Sequence, residues 1–260
     1  MSSSPGKPLM PVTVVDISLS EKEDAMKQST RMVFIMPAVT LLIGWGISLL
    51  IYHFTGAKAS YDAKIETLAS NDLHWLYFSA LVLSRLNMVI NFLPMVYKSA
   101  VVTQRHLKPA CVPSALIALA PVSVQQVRGN SGNLRANMYV YRVSSPDHAD
   151  TSTESAGALG PVVLEEGGDV GKYNRANRSL HHYIENLPPF LLGMPLCAYV
   201  FPAATFVLTC LFAVGRVAHQ LGYTRGYGGH GAGFGIALLC TCVQDGLLLT
   251  AALSAAGASI

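Results

Sequence analysis

Five apolar stretches dominate the sequence, and each has about the length of a membrane-spanning helix. A bilayer core takes about 20 residues of apolar helix. Such runs occupy residues 32–54, 73–102, 203–221 and 231–256, and a further one, the third in order, begins within residues 174–190 and ends near residue 200. Only 13% of the residues are charged, which is about half the share in soluble domains. The sequence therefore predicts an all-α integral membrane protein that crosses the membrane several times.

The polar segments before and between these runs set the predicted topology. Residues 1–31 include four acidic side chains, which argues against a signal or transit peptide, so we expect a disordered tail and an uncleaved first span. Residues 103–172 are predicted to form a long flexible loop, since much of the segment is poor in bulky apolar residues. Lysine and arginine concentrate in this loop, and the positive-inside rule then places the loop and the tail in the cytoplasm.

Several other kinds of site are not expected. The net charge of +3 is spread thinly and predicts no nucleic-acid partner. The five cysteines form no C-x-x-C pair, and the adjacent His181 and His182 lack the spacing of metal ligands, so no metal site is predicted. The glycine-rich segment 226–235 is interpreted as a turn and a close-packing surface rather than a phosphate-binding loop.

Charged side chains lead directly into the third apolar run, in the sequence NRANRSLHHYIENLPPF at residues 174–190. Arg175, Arg178, His182 and Glu185 follow steps of three, four and three, so they share one face of a helix. Such side chains are costly in hydrocarbon and are expected to face a protein interior, a wet cleft or one another. We interpret the four as one polar site. An Arg178–Glu185 pair that only fastens helices together is the alternative.

Further polar residues are candidates to converge on this stripe. Several arginines and a lysine favour a small anion held through its carboxylates, and Glu185 would accept from an amine. A peptide-like thiol with two carboxylates and one amine carries these groups, and nearby positive charge favours its reactive thiolate. A lipophilic second molecule would arrive from the bilayer. The additional candidates are Arg85, for which Asp245 is a possible partner, Lys98, Arg216, His219, Tyr223, Arg225 and His230.

Two blocks of the sequence carry a family resemblance. Arg178, Glu185, Pro188 and Phe190, in the pattern R-x6-E-x2-P-x-F, resemble the second-helix motif of the MAPEG family, the membrane-associated proteins in eicosanoid and glutathione metabolism. The segment VGRVAHQLGYTRG at residues 214–226 resembles the end of the family's third helix. Residues 73–102 match its first helix more loosely.

The resemblance implies a four-helix bundle formed by residues 73–102 and 173–257, with residues 32–54 as an additional N-terminal transmembrane helix. It also implies a homotrimer that binds glutathione as co-substrate between neighbouring protomers. Carried over by position, Tyr223 would lie near the thiol, and His230 takes the place of a thiolate-stabilising arginine; these two are the expected catalytic residues. The residues expected to bind glutathione are Arg178, Glu185, His182, Arg175, Lys98, Arg216, His219 and Arg225.

The predicted function is that of a membrane-bound glutathione transferase or peroxidase acting on lipophilic electrophiles or lipid hydroperoxides. Its expected location is the endoplasmic reticulum or another internal membrane. Two departures from the family pattern support alternatives: His182 stands where an asparagine is usual, and His230 is a weaker source of positive charge than arginine. The alternatives are a non-catalytic protein that binds glutathione or lipid, and a membrane scaffold or assembly subunit on the same fold.

Overall fold

The computed structural model describes residues 19–103, 138–143 and 162–257. Residues 1–18 of the predicted tail, and most of the predicted loop at 103–172, lie outside the described residues. The described residues form six helices and two short strands. They are α1 (Leu19–Phe54), α2 (Lys58–Ser70), α3 (His74–Thr103), β1 (Tyr141–Val143), β2 (Val162–Leu164), α4 (Gly168–Val200), α5 (Pro202–Arg225) and α6 (Gly231–Ala255).

Four of the described helices, α1, α3, α5 and α6, are long and apolar enough to cross a membrane. Helix α4 is 33 residues long, but its first half carries Arg175, Arg178, His182 and Glu185. These charged and polar side chains make it less apolar than the other four helices. It nevertheless packs against α3, α5 and α6 in the same bundle. The predicted all-α, multi-pass membrane fold is therefore confirmed.

The bundle core lies between α3, α4, α5 and α6. Phe190 of α4 stacks on Phe212 of α5, with ring centroids 4.1 Å apart, among leucine, isoleucine and methionine side chains of the neighbouring helices. Two buried amides cross-link the bundle: Gln220 donates to the carbonyl of Ile90 over 3.1 Å, and Gln244 donates to that of Phe190 over 3.1 Å. Because water is scarce in such a core, these bonds hold the helices in register.

Helix α1 is the additional N-terminal helix, and it packs along α3. Val33 contacts the apolar face of α3, and Arg85 of α3 donates to the carbonyl of Pro37 and to the hydroxyl of Thr40, each over 3.2 Å. Arg85 is thus used in holding α1. It makes no ion pair with Asp245, which is exposed on α6.

The helices extend further than the apolar runs. Residues 19–31, expected within the tail, form the first turns of α1, because they contain no glycine or proline and many good helix formers. Helix α2 is an unexpected polar helix, tied to the end of α1 by a hydrogen bond from Tyr52 to Asp62. Helix α4 begins at Gly168, inside the predicted loop.

Strands β1 and β2 also lie inside the predicted loop, where they form a short antiparallel ladder. Val140, next to β1, packs on Tyr173 of α4. Asn174 also binds Val140: its side chain accepts from the Val140 N–H over 2.9 Å and donates to the Val140 carbonyl over 2.7 Å. Val140 also accepts from the Glu165 N–H over 3.1 Å, so the asparagine side chain adds to the ladder contact and fixes residues 138–143 on the first turns of α4.

Candidate functional site

A cavity of about 250 Å³ opens between α4, α5 and α6 near the α5–α6 turn. We call it the histidine cavity, because three of its seven lining residues are histidines. Of the residues predicted for the site, it brings together Arg178, His182, His219, Tyr223 and His230. The remaining lining residues are Ser179 and Phe234.

Close packing of α5 on α6 places the histidines side by side. A Cβ added to Gly233 would lie 2.2 Å from the backbone nitrogen of His219, and one added to Gly222 would lie 2.1 Å from the carbonyl oxygen of Gly229. Only glycine allows backbones to approach so closely. Gly222 and Gly233 thus act as packing residues and bring the start of α6 against the end of α5, whereas a Cβ added to Gly226, Gly228 or Gly231 would meet nothing within 4 Å.

The aromatic rings of the cavity form a connected cluster. The ring of His219 lies 5.1 Å from that of His182 and 5.4 Å from that of His230, between centroids. Tyr223 lies 5.0 Å from His230. Within the described part of the chain, Nδ1 of His219, Nδ1 of His230 and the hydroxyl of Ser179 are buried without hydrogen-bond partners. Buried polar groups without partners are costly, and these three belong to residues that line the cavity.

Arg178 and Glu185 lie on the outer surface of the bundle at this level. Their side chains are 54% and 57% exposed, and Nη1 of Arg178 is 3.9 Å from Oε1 of Glu185. An exposed pair at this distance contributes little to stability. Both groups remain accessible to a ligand or to a neighbouring protomer.

Three other predicted residues lie away from the cavity. Arg175 donates to the carbonyl of Thr224 over 3.1 Å and to that of Glu166 over 2.9 Å, so it joins α4 to the end of α5. Neither Lys98, on α3, nor Arg225, exposed at the end of α5, lines the cavity.

The α5–α6 turn is held by Tyr227, which contacts both Glu166 and Arg175. The hydroxyl of Tyr227 donates to the carboxylate of Glu166 over 2.9 Å, and the Arg175 guanidinium lies 5.8 Å from the Tyr227 ring centroid. Partial burial, together with the hydrogen bond to Glu166, raises the pKa of Tyr227.

Arg216 lies behind His182 rather than in the histidine cavity. It is 2% exposed, its Nη1 lies 3.3 Å from Nδ1 of His182, and its guanidinium carbon is 5.4 Å from the ring centroid of Tyr183. It lines a second, smaller cavity of about 80 Å³, which we call the arginine cavity.

Tyr139 lies beside this region, although no feature of the sequence singled it out. Its hydroxyl is 2.9 Å from Nδ1 of His181, one helical turn from Arg178, and burial raises the pKa of the phenol. Asn174 holds the neighbouring Val140, and Asn177 donates to the carbonyl of Met138 over 2.9 Å. Two buried asparagines on one face of α4 were the available signal, since buried amides need partners.

Comparison with known proteins adds one finding. Residues 134–250 match the sequence model of the MAPEG family. This part of the chain belongs to the MAPEG family. No curated protein and no solved structure matches the chain.

The suspected resemblance is thereby confirmed for a region that includes β1, β2, α4, α5 and most of α6. The MAPEG region contains every residue that lines the histidine cavity. Helices α1, α2 and α3 lie before the matched residues. The family comprises membrane proteins of glutathione and eicosanoid metabolism.

Proposed function

We propose that the chain is a membrane-bound, glutathione-dependent transferase or peroxidase, with glutathione held in the histidine cavity. The observation that carries the proposal is the cavity itself, which brings Arg178, His182, His219, Tyr223 and His230 together. A ligand with carboxylates, amides and a thiol offers acceptors and donors to such polar side chains. The cavity of about 250 Å³ suits part of a tripeptide, and the mouth at Arg178 would accommodate the rest.

Arg178 and Glu185, the charged pair at the opening of the cavity, complement a carboxylate and the amine of glutathione. Arg178 would bind a carboxylate through two parallel N–H groups, and Glu185, whose Oε1 is 3.9 Å from Arg178 Nη1, would accept from the amine. Both side chains are more than half exposed, which leaves room for a second protomer to complete the binding surface. This exposure supports the homotrimer expected from the family.

Glutathione would supply a thiol whose ionised form is the nucleophile toward a lipophilic electrophile or lipid hydroperoxide. Tyr223 and His230, with ring centroids 5.0 Å apart, would donate hydrogen bonds that hold the sulfur in its charged form. His230 directly precedes α6, and the partial positive charge at a helix N-terminus adds to this effect. We place the protein in the endoplasmic reticulum or another internal membrane, where the second substrate enters from the bilayer.

A non-catalytic glutathione-binding protein is the second candidate, and the identity of residue 230 supports it. A histidine carries its positive charge only when protonated, whereas an arginine always carries it. Such a protein would bind glutathione without ionising it. A membrane scaffold or assembly subunit would bind no glutathione at all.

The test is equilibrium dialysis of radiolabelled glutathione against purified full-length protein in detergent. Arg178→Ala and Glu185→Gln are each expected to weaken binding by about tenfold or more, since hydrogen bonds to charged groups contribute about 1.5–3 kcal/mol. Lys64→Gln is the matched control, because Lys64 is exposed on α2, far along the chain from the cavity. Ultraviolet absorbance of the bound thiolate then separates the two candidates.

Three outcomes discriminate among these functions. Weaker binding in both site variants, with extra thiolate absorbance in the wild type, supports the transferase or peroxidase. The same binding pattern without thiolate supports the non-catalytic protein. Equal affinity in all variants removes the site at Arg178 and Glu185, and the absence of any binding leaves the scaffold.

A further inference from the structure

Residues 138–140 are attached to α4 by three side chains of one helix face. Asn174 and Asn177 bind backbone groups of this segment, whereas Nδ1 of His181 lies 2.9 Å from the hydroxyl of Tyr139. The steps of three and four between these residues place them in one line along the helix. The two asparagines anchor the backbone without the help of the phenol, so the Tyr139 hydroxyl is available for another role.

Tyr139 lies beside the opening of the histidine cavity. Its partner His181 is one helical turn from Arg178, which lines the cavity, and one turn from Glu185 on the other side. Burial raises the pKa of the Tyr139 phenol, Arg178 lowers it, and Glu185 and Tyr223 raise it. The phenol, which is partly exposed, is therefore within electrostatic range of the charged pair and of a cavity-lining tyrosine.

The contact between Tyr139 and His181 leaves one hydrogen-bonding group of the phenol unused. A phenol both donates and accepts, whereas a neutral imidazole nitrogen does only one of the two. When Nδ1 of His181 carries the ring proton and donates to the phenol oxygen, the O–H of Tyr139 is available to an acceptor. A carboxylate bound by Arg178 through two N–H groups keeps lone pairs for a further donor, so the two side chains can hold the same anion.

We propose that Tyr139 is a further glutathione-binding residue, whose hydroxyl donates to the carboxylate held by Arg178, and that His181 is the positioning residue that orients the phenol. The inference rests on the proposed function and assigns one end of the ligand within it. Nη1 of Arg178 and Oε1 of Glu185 are 3.9 Å apart, a spacing that suits a carboxylate and an amine carried by one carbon. Glutathione has such a carbon only in its γ-glutamyl residue, so this end binds at the opening, against residues 138–140.

Equilibrium dialysis of the purified full-length protein with radiolabelled glutathione, displaced by γ-aminobutyryl-cysteinylglycine, tests the inference. This analogue keeps the amine and lacks the carboxylate beside it. Tyr139→Phe should lower the affinity for glutathione about tenfold, the effect of one hydrogen bond to a charged group, and leave the affinity for the analogue within about twofold. His181→Phe should show the same selectivity, because it removes the bond that orients the phenol. Tyr141→Phe is the matched control, an exposed tyrosine of β1, and should change neither affinity.

Hydrogen–deuterium exchange of residues 138–143 supplies a second measurement. Glutathione should slow this exchange in the wild type and not in Tyr139→Phe, whereas the two free proteins should exchange alike, because the asparagines still anchor the segment.

The other outcomes separate this inference from the proposed function. An equal loss of affinity for both ligands would give Tyr139 a role in folding only, and unchanged glutathione affinity would give it none; either result overturns the inference. Weaker binding in Arg178→Ala but not in Tyr139→Phe would remove the inference and keep the proposed function. Absence of glutathione binding to the wild type would remove both.

Discussion

Nη1 of Arg216 lies 3.3 Å from Nδ1 of His182, and this contact determines which ring nitrogen of His182 carries the proton. An arginine has only donors, so Nδ1 of His182 must accept and the ring proton resides on Nε2. His182 therefore offers a hydrogen-bond donor to the histidine cavity, which it lines. An amide side chain, such as the asparagine usual at this position in the family, also carries a donor.

We expect His182→Gln to keep glutathione affinity within about threefold of wild type, because glutamine also has an N–H donor and a carbonyl acceptor for Arg216. His182→Phe should lower the glutathione affinity about tenfold, because it removes one hydrogen bond to the ligand and leaves the buried charge of Arg216 without this partner. Equilibrium dialysis measures both. Equal affinity of the two variants would show that the donor at this position is not used.

Gly233→Ala should destabilise the bundle by about 1–3 kcal/mol, in the range of overpacked cores, because its Cβ would lie 2.2 Å from a backbone atom of α5. The matched control is Gly235→Ala, where nothing lies within 4 Å of the added Cβ and helix propensity favours alanine. Thermal unfolding midpoints in detergent compare the two. A Gly233→Ala midpoint equal to that of Gly235→Ala would contradict the close packing of α5 on α6.

Arg85→Met should loosen α1 from α3, since both described bonds from Arg85 to α1, at Pro37 and Thr40, are lost. We expect faster proteolysis between α1 and α2 and a loss of about 1.5–3 kcal/mol in the free energy of unfolding, as for hydrogen bonds to a charged group. Glutathione binding should not change, because Arg85 does not line the histidine cavity. Unchanged proteolysis would mean that apolar contacts such as Val33 suffice to hold α1.

Asn174→Ala should free residues 138–143 from α4, because one side chain makes both bonds to Val140 and a third, over 2.8 Å, to the carbonyl of Glu165. Hydrogen–deuterium exchange in this segment is expected to rise by about tenfold or more, since each lost bond contributes about 1 kcal/mol. Asn186→Ala is the control: the described bond of its side chain reaches only the carbonyl of His182 in its own helix. Equal exchange in both variants would refute the anchoring role.

Tyr227 should make stability fall at high pH. Its pKa is raised by burial and by Glu166, so the folded protein holds this proton more tightly than the unfolded chain. The contribution is complete below the ordinary tyrosine pKa of about 10 and is lost as pH rises through the raised value. Thermal midpoints of wild type and Tyr227→Phe should therefore converge above about pH 10. A constant difference across this range would exclude the linkage.

The amino-acid sequence by itself determined the membrane class, the bundle helices and the family. Apolar length and helical periodicity are local properties, and they place Arg178, His182 and Glu185 on one face of α4 whatever surrounds it. The same helical periodicity also places Arg175 on this face.

Only the tertiary structure decided what each of these side chains meets. Arg175 joins α4 to α5, Arg178 remains at the surface, and Arg216 is buried beside His182. Tyr139 reaches the site from a segment far along the chain, held by Asn174 and Asn177. These roles depend on which helices pack together and how closely, because hydrogen-bond partners and burial are set by contacts between residues distant in sequence. Helical period carries no information about such contacts.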